Sequence, residues 1–160
     1  RQGQLAGGRE VLLAMRRWHA CRLDLPAWQN DLRRKSTAIA SVWPTPEHPP
    51  GFDPHGVRVS TIVAQALDCL AVLSPDMRLR WLASHRSALE SAAGCPLSLS
   101  GVVAAAFADL GFAPEEGEML HLMLRLPGAA AHALEQQAAG HRQFPFFAME
   151  VVHGAMEAAS

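Results

Sequence analysis

Three consecutive segments of this chain each open on a proline and close on a glycine. They run from Pro75 to Gly94, from Pro96 to Gly111 and from Pro114 to Gly140. Proline has no N–H to lose in a first helical turn, and glycine accepts the left-handed conformation that ends a helix. Between these marks the apolar residues recur at helical spacing, and nowhere does a segment alternate with period two. A chain punctuated in this way has no strands to pair. The expected fold class is all-α.

The earlier part reads the same way. Glu10 to Arg22 carries Val11, Leu12, Met15 and Trp18 on one side, which predicts a one-faced helix after the permissive Gly7-Gly8 pair. A second helix is predicted over Pro26 to Ile39, with Asp24 near its cap. Pro44, Pro46, Pro49, Pro50 and Pro54 then forbid regular helix between Val42 and Pro54. A third is expected from Gly56 to Leu73, and Ser74-Pro75 reads as the N-cap and first turn of the next. Phe144-Pro-Phe-Phe147 breaks the pattern before a short final helix. Met119 and Met123 are expected in the core.

Composition narrows the function classes. Alanine is abundant and tyrosine absent, and only 18% of residues are charged, so the chain folds rather than staying disordered. The formal net charge of −1 supplies no global field toward nucleic acid or anionic lipid. The run Val102 to Ala108 is too short to span a bilayer, so no membrane partner is expected. Cys21, Cys69 and Cys95 are odd in number and widely spaced, which argues for a reducing, cytoplasmic setting. The chain opens at Arg1 without methionine and is read as a processed, truncated or partly observed polypeptide. No two of the eight histidines lie three or four apart and no Cys-x-x-Cys occurs, so no metal site is expected. Phosphate-cradling glycine loops and the Gly-x-Ser-x-Gly elbow of serine hydrolases are absent too.

The order Asp109-Leu-Gly-Phe-Ala-Pro114 followed by Leu122-Met-Leu-Arg-Leu-Pro-Gly-Ala-Ala-Ala-His-Ala-Leu-Glu-Gln136 resembles the carboxy-terminal part of the citrate synthase family, citryl-CoA lyase-like members included. The resemblance covers Leu5 to about Phe147. It implies a multi-helical citrate synthase-like fold containing the small domain and part of the large one. Residues 1–40 would hold helices from the end of the large domain and the start of the small domain. Residues 41–55 would form a Pro-rich loop. Residues 56–160 would hold small-domain-like helices and the return to the large domain.

The implied activity is condensation of an acyl-CoA with a 2-oxo acid, or citryl-CoA-type cleavage, by an acyltransferase or lyase that forms a homodimer. Its partners would be a small carboxylate and acyl-CoA, with no separate cofactor. Such chemistry needs a base at a weakly acidic carbon and donors for the oxyanion that develops. Gln4-Leu-Ala-Gly-Gly-Arg9 resembles the His-Gly-Gly-Ala element of the family, with Ala6 where its enol-stabilising histidine stands. Gly51-Phe-Asp-Pro-His55 resembles the Gly-Phe-Gly-His element with one extra residue, so His55 would polarise the keto carbonyl. A second alignment matches Asp53-Pro54 to the Asp-Pro-Arg that follows in many members, which deletes the histidine element.

In Pro96-Leu-Ser-Leu-Ser-Gly101, Ser100 stands where the family places its catalytic aspartate. The resemblance gives Arg125, and Arg142 slightly displaced in His141-Arg-Gln-Phe-Pro145, to substrate carboxylates, which a guanidinium fork suits. Arg125 fits an interhelical ion pair as well, His55 fits a plain loop histidine, and His132 and Glu135 fit a structural pair. With Ala6 and Ser100 in two catalytic positions, a diverged, non-catalytic binding or association protein is the alternative expectation.

Overall fold

The computed structural model describes residues 7–34 and 48–139. They form six α-helices: α1 (Gly8–Cys21), α2 (Leu25–Arg33), α3 (Thr61–Leu73), α4 (Arg78–Ala93), α5 (Leu99–Asp109) and α6 (Pro114–Ala139). No strand forms among the described residues, and a single antiparallel bridge joins Phe52 to Leu97. The all-α class follows directly. The predicted residues beyond Gly140, the 35–39 end of the second helix and most of the proline-rich stretch lie outside the described residues. The chain divides into two compact units, Arg1–Leu124 and Arg125–Ser160.

In the first unit α5 is the central element. Its sequence Val-Val-Ala-Ala-Ala-Phe is apolar all round and made of small residues, so neighbours approach on several sides. It packs against α1, α3 and α4, while α2 packs on α4. Val11, Met15 and Trp18 of α1, Leu82 and Leu89 of α4, and Val102 and Ala105 of α5 meet in this core. Trp18 sits edge-on to Trp28 at 4.6 Å and to Trp81 at 5.7 Å, so three indoles close the α1–α2–α4 end. Burial pushes the Cys21 thiol above its ordinary range, which keeps it protonated and unreactive.

Local capping explains most boundaries. The Asp24 carboxylate accepts from the Ala27 N–H at 3.2 Å and opens α2. Ser60 Oγ accepts from Val63 N at 3.3 Å, so α3 begins at Thr61 and not at the expected Gly56. At the start of α6, Glu116 reaches back to the Ala113 N–H at 2.8 Å. The start of α4 departs from expectation. Ser74 is the C-cap of α3, and its hydroxyl donates to buried Asp109 instead of capping α4. Asp109 also accepts from the Arg78 N–H at 2.8 Å, so a residue from the end of α5 caps α4. Arg80 completes the junction by donating to the Ala71 and Ser74 carbonyls that α3 leaves open.

This junction makes a stability prediction. Asp109→Ala removes a buried acceptor from two donors and is expected to cost about 3 kcal/mol, as charged hydrogen bonds are worth roughly 1.5–3 kcal/mol each before desolvation is recovered. Asp109→Asn, which keeps one acceptor, should cost less. Urea unfolding of the two variants checks the order, and an unchanged midpoint in Asp109→Ala would remove the cap from this account.

Met119 and Met123, expected in the core, are 60% and 61% exposed. The outward face of α6 carries them because only its inner face, at Gly117, meets Met15 and Phe107. No helix among the described residues is long and apolar enough to cross a membrane.

Candidate functional site

The amino end of α1 places an acidic residue on its apolar face. Glu10 lies one position before Val11 and four before Ala14, all turned inward, and only 6% of it is exposed. The segment that faces it is the tail of the proline-rich loop. Phe52 N donates to Pro49 O, and Gly51 adopts φ 92, a conformation natural to glycine. Gly51 O accepts from Ser98 N at 3.1 Å and Pro96 O from Asp53 N at 2.8 Å, which ties the loop to the residues preceding α5. Arg17 holds the loop from the other side by donating to Pro50 O at 2.9 Å while pairing with Asp31 at 2.6 Å.

Three stretches therefore meet at one carboxylate. Glu10 Oε1 accepts from the Gly51 N–H at 3.1 Å and from Ser100 Oγ at 2.8 Å. Ser100 Oγ also lies 2.7 Å from Ser98 Oγ, which caps α5 through the Gly101 N–H. His48 Nε2 stands 3.7 Å from Glu10 Oε1, with its side chain 7% exposed. Glu10 Oε2 and both ring nitrogens of His48 are buried and have no hydrogen-bond partner among the described residues. Polar atoms in that state are uncommon in folded proteins, because each gives up its water without recovering the bond. The His48 ring thus lies beside the Glu10 carboxylate, whose Oε2 is the one oxygen of the cluster without a donor among the described residues.

Close backbone approach makes the cluster possible. A Cβ at Gly101 would overlap the Gly51 carbonyl oxygen and sit 2.8 Å from Leu97 Cδ1. Only glycine lets the first turn of α5 come near enough for Ser100 to reach Glu10. Beside the cluster, burial and the Asp53 charge both push the Cys95 thiol up, so it supplies no thiolate nucleophile.

Ser100 is in the cluster, but as a donor to Glu10. His55 is exposed on the adjoining turn, where its backbone N–H donates to Asp53 Oδ1 at 2.9 Å; it does not touch Glu10. Arg125 lies on α6 in the second unit and is exposed. On the same helix His132 and Glu135 pair at 3.8 Å with both side chains largely in solvent. Ala6 and Arg142 lie outside the described residues. No group of three or more His, Cys, Asp and Glu able to hold a metal occurs among the described residues.

Glu10 and His48 were missed. The signal for Glu10 was an acid inside the apolar stripe of an amphipathic helix. His48 carried none beyond its place among prolines.

No family model matches the chain, and neither a curated protein nor a solved structure matches it.

Proposed function

We propose that this chain performs citrate synthase-type chemistry on an acyl-CoA and a 2-oxo acid, or the reverse citryl-CoA-type cleavage, with the Glu10 carboxylate as its base. The observation that supports the reading is the convergence on Glu10. The three stretches that resemble catalytic elements of that family, around Gly8, Gly51 and Ser100, are the ones that meet there. Where the family carries an aspartate this chain carries Ser100, and a carboxylate from α1 lies 2.8 Å from that hydroxyl.

The chemistry then runs through Glu10. Its Oε2, which has no hydrogen-bond partner among the described residues, takes a proton from the acyl carbon next to the thioester, and the electron pair moves onto the thioester oxygen as an enolate. A ring N–H of His48 donates to that oxyanion, the part left empty by Ala6. Ser100 and Gly51 donate to Oε1 and hold the carboxylate in place. In condensation the enolate carbon attacks the keto carbon, and the keto oxygen takes up one proton to become the hydroxyl, which balances the one removed by Glu10. Water then splits the thioester to release CoA and a carboxylic acid. On the family resemblance His55 polarises the keto carbonyl and Arg125 and Arg142 hold substrate carboxylates. The same resemblance implies a homodimer, and the three widely spaced cysteines imply a reducing, cytoplasmic setting.

Thiol release from acetyl-CoA in the presence of oxaloacetate tests this. Glu10→Gln keeps the shape and the acceptor for Gly51 and Ser100 but removes the base, and is expected to lower the rate about 10²–10⁴-fold. Equal rates in the two proteins would exclude Glu10 as the base. One observation favours a second reading, a diverged binding protein: Ser100 donates its proton into Glu10 and is not itself a base. Oxaloacetate binding by calorimetry, with no thiol release from the wild-type protein, would decide for that reading.

A further inference from the structure

The tail of the proline-rich loop reaches Glu10 through a four-residue turn. Phe52 N donates to Pro49 O at 3.2 Å, which closes a β-turn over residues 49–52. Its central residues are Pro50, whose ring fixes φ at about −65°, and Gly51, at φ 92. A positive φ at the third position behind a proline at the second defines a type II turn. The alternative, type I, differs by a half-turn of the peptide unit between those two residues. Glycine accepts either form, so nothing within the turn decides which way the Pro50–Gly51 peptide faces.

Two side chains of α1 decide it. Arg17 Nη1 donates to the carbonyl end of that peptide, Pro50 O, at 2.9 Å. The other end, the Gly51 N–H, donates to Glu10 Oε1 at 3.1 Å. Arg17 follows Glu10 by seven residues, two turns or about 10 Å along the helix, so both project from one side of α1. A guanidinium at one end and a carboxylate at the other grip a single planar unit. The half-turn to type I would carry the N–H away from Glu10 and aim a carbonyl at its buried carboxylate. Arg17 is held in turn, with 12% of its side chain exposed and its Nε donating to Asp31 Oδ2 of α2 at 2.6 Å. By drawing on the carbonyl oxygen, the guanidinium also polarises the peptide and strengthens its N–H as a donor.

We propose that Arg17, braced by Asp31, is a positioning residue for the Glu10 carboxylate and acts on it through the Pro50–Gly51 peptide. Its effect on rate rests on the reading of Glu10 as the base; its effect on the loop rests on the turn geometry alone. Without Arg17 the peptide turns over and Oε1 keeps Ser100 as its one remaining donor. The carboxylate is then free to rotate about its side-chain bonds, and a misplacement of about 1 Å costs roughly 10²-fold in rate. Arg17 lies behind the loop and not on the substrate, so the loss falls on rate and not on binding.

The test compares the wild-type chain with Arg17→Met, which keeps the aliphatic stem, and with Asp31→Asn, which removes the brace at a side chain already 43% exposed. Hydrogen exchange of the Gly51 amide, followed by NMR, reads the loop. It is expected to accelerate about tenfold or more in Arg17→Met and by a smaller factor in Asp31→Asn, with the amides of Leu12 to Met15 in α1 unchanged. Deuterium exchange into the acetyl-CoA methyl group reads the base. Its saturating rate is expected to fall roughly 10–100-fold in Arg17→Met, with the acetyl-CoA concentration at half that rate unaltered. Gly51 exchange unchanged in Arg17→Met, equal acceleration of the α1 amides, or full methyl exchange despite a loosened Gly51 would each overturn the assignment. A wild-type protein that leaves the methyl protons untouched would remove the base reading alone, and Gly51 exchange would then decide the clamp.

Discussion

Gly101→Ala is expected to lower the unfolding free energy by about 3 kcal/mol, the upper end of what an added methyl costs in a packed interior. The new Cβ would meet the Gly51 carbonyl oxygen and Leu97 Cδ1, and the first of these is backbone. Relief requires moving Gly51, which also accepts from Ser98 N and donates to Glu10, so no side chain can turn aside to absorb the clash. The variant should therefore lose both stability and the Ser100–Glu10 hydrogen bond. Gly128→Ala is the control. A Cβ there meets nothing within 4 Å, and replacing a helical glycine by alanine should add up to about 1 kcal/mol. Urea midpoints shifting in opposite directions are the expected outcome; a Gly101→Ala protein as stable as the wild type would contradict the close approach.

The second large effect is expected at Trp18. It is 3% exposed and makes edge-on contacts with Trp28 and Trp81, with interplanar angles of 68° and 75°. Trp18→Ala removes this shared ring from three packed helices and should cost about 3–5 kcal/mol. Domains of this size are stable by roughly 5–15 kcal/mol, so the loss takes a large part of the total. Trp18→Phe, which keeps an aromatic edge, should retain much more. Thermal unfolding followed by circular dichroism ranks the two, and equal losses would mean that the indole cluster does not hold α1, α2 and α4 together.

What could be read in the residues themselves was whatever is decided locally. The start of α6 at Pro114 was legible, because a first-turn proline acts on its own neighbours. Asp24 as the cap of α2 was legible for the same reason. The start of α4 was not. Ser74-Pro75 is a sound local cap signal, yet Asp109, 35 residues away, takes the Ser74 hydroxyl and caps α4 itself. The start of α3 slipped because Gly56 is drawn into the turn over Pro96, leaving Ser60 as the nearest capping side chain. Met119 and Met123 misled because helical periodicity marks an apolar face without saying whether anything covers it.

The candidate site was half legible. The stretches around Gly8, Gly51 and Ser100 were singled out in sequence, and they do converge. The residue at their centre was not, since the bonds that define the role of Glu10 span 41 and 90 residues. A single acid on an apolar helix face carries no mark of the partners that distant segments bring to it.

The most direct measurement is the exchange of the acetyl-CoA methyl protons for deuterium, followed by NMR in D₂O with oxaloacetate absent. It reads the proton transfer assigned to Glu10 without requiring condensation or hydrolysis. The account predicts exchange above the buffer rate with the wild-type protein and a fall of about 10²-fold or more in Glu10→Gln. Exchange that proceeds equally in Glu10→Gln, or a folded wild-type protein that leaves the methyl protons at the buffer rate, would contradict it.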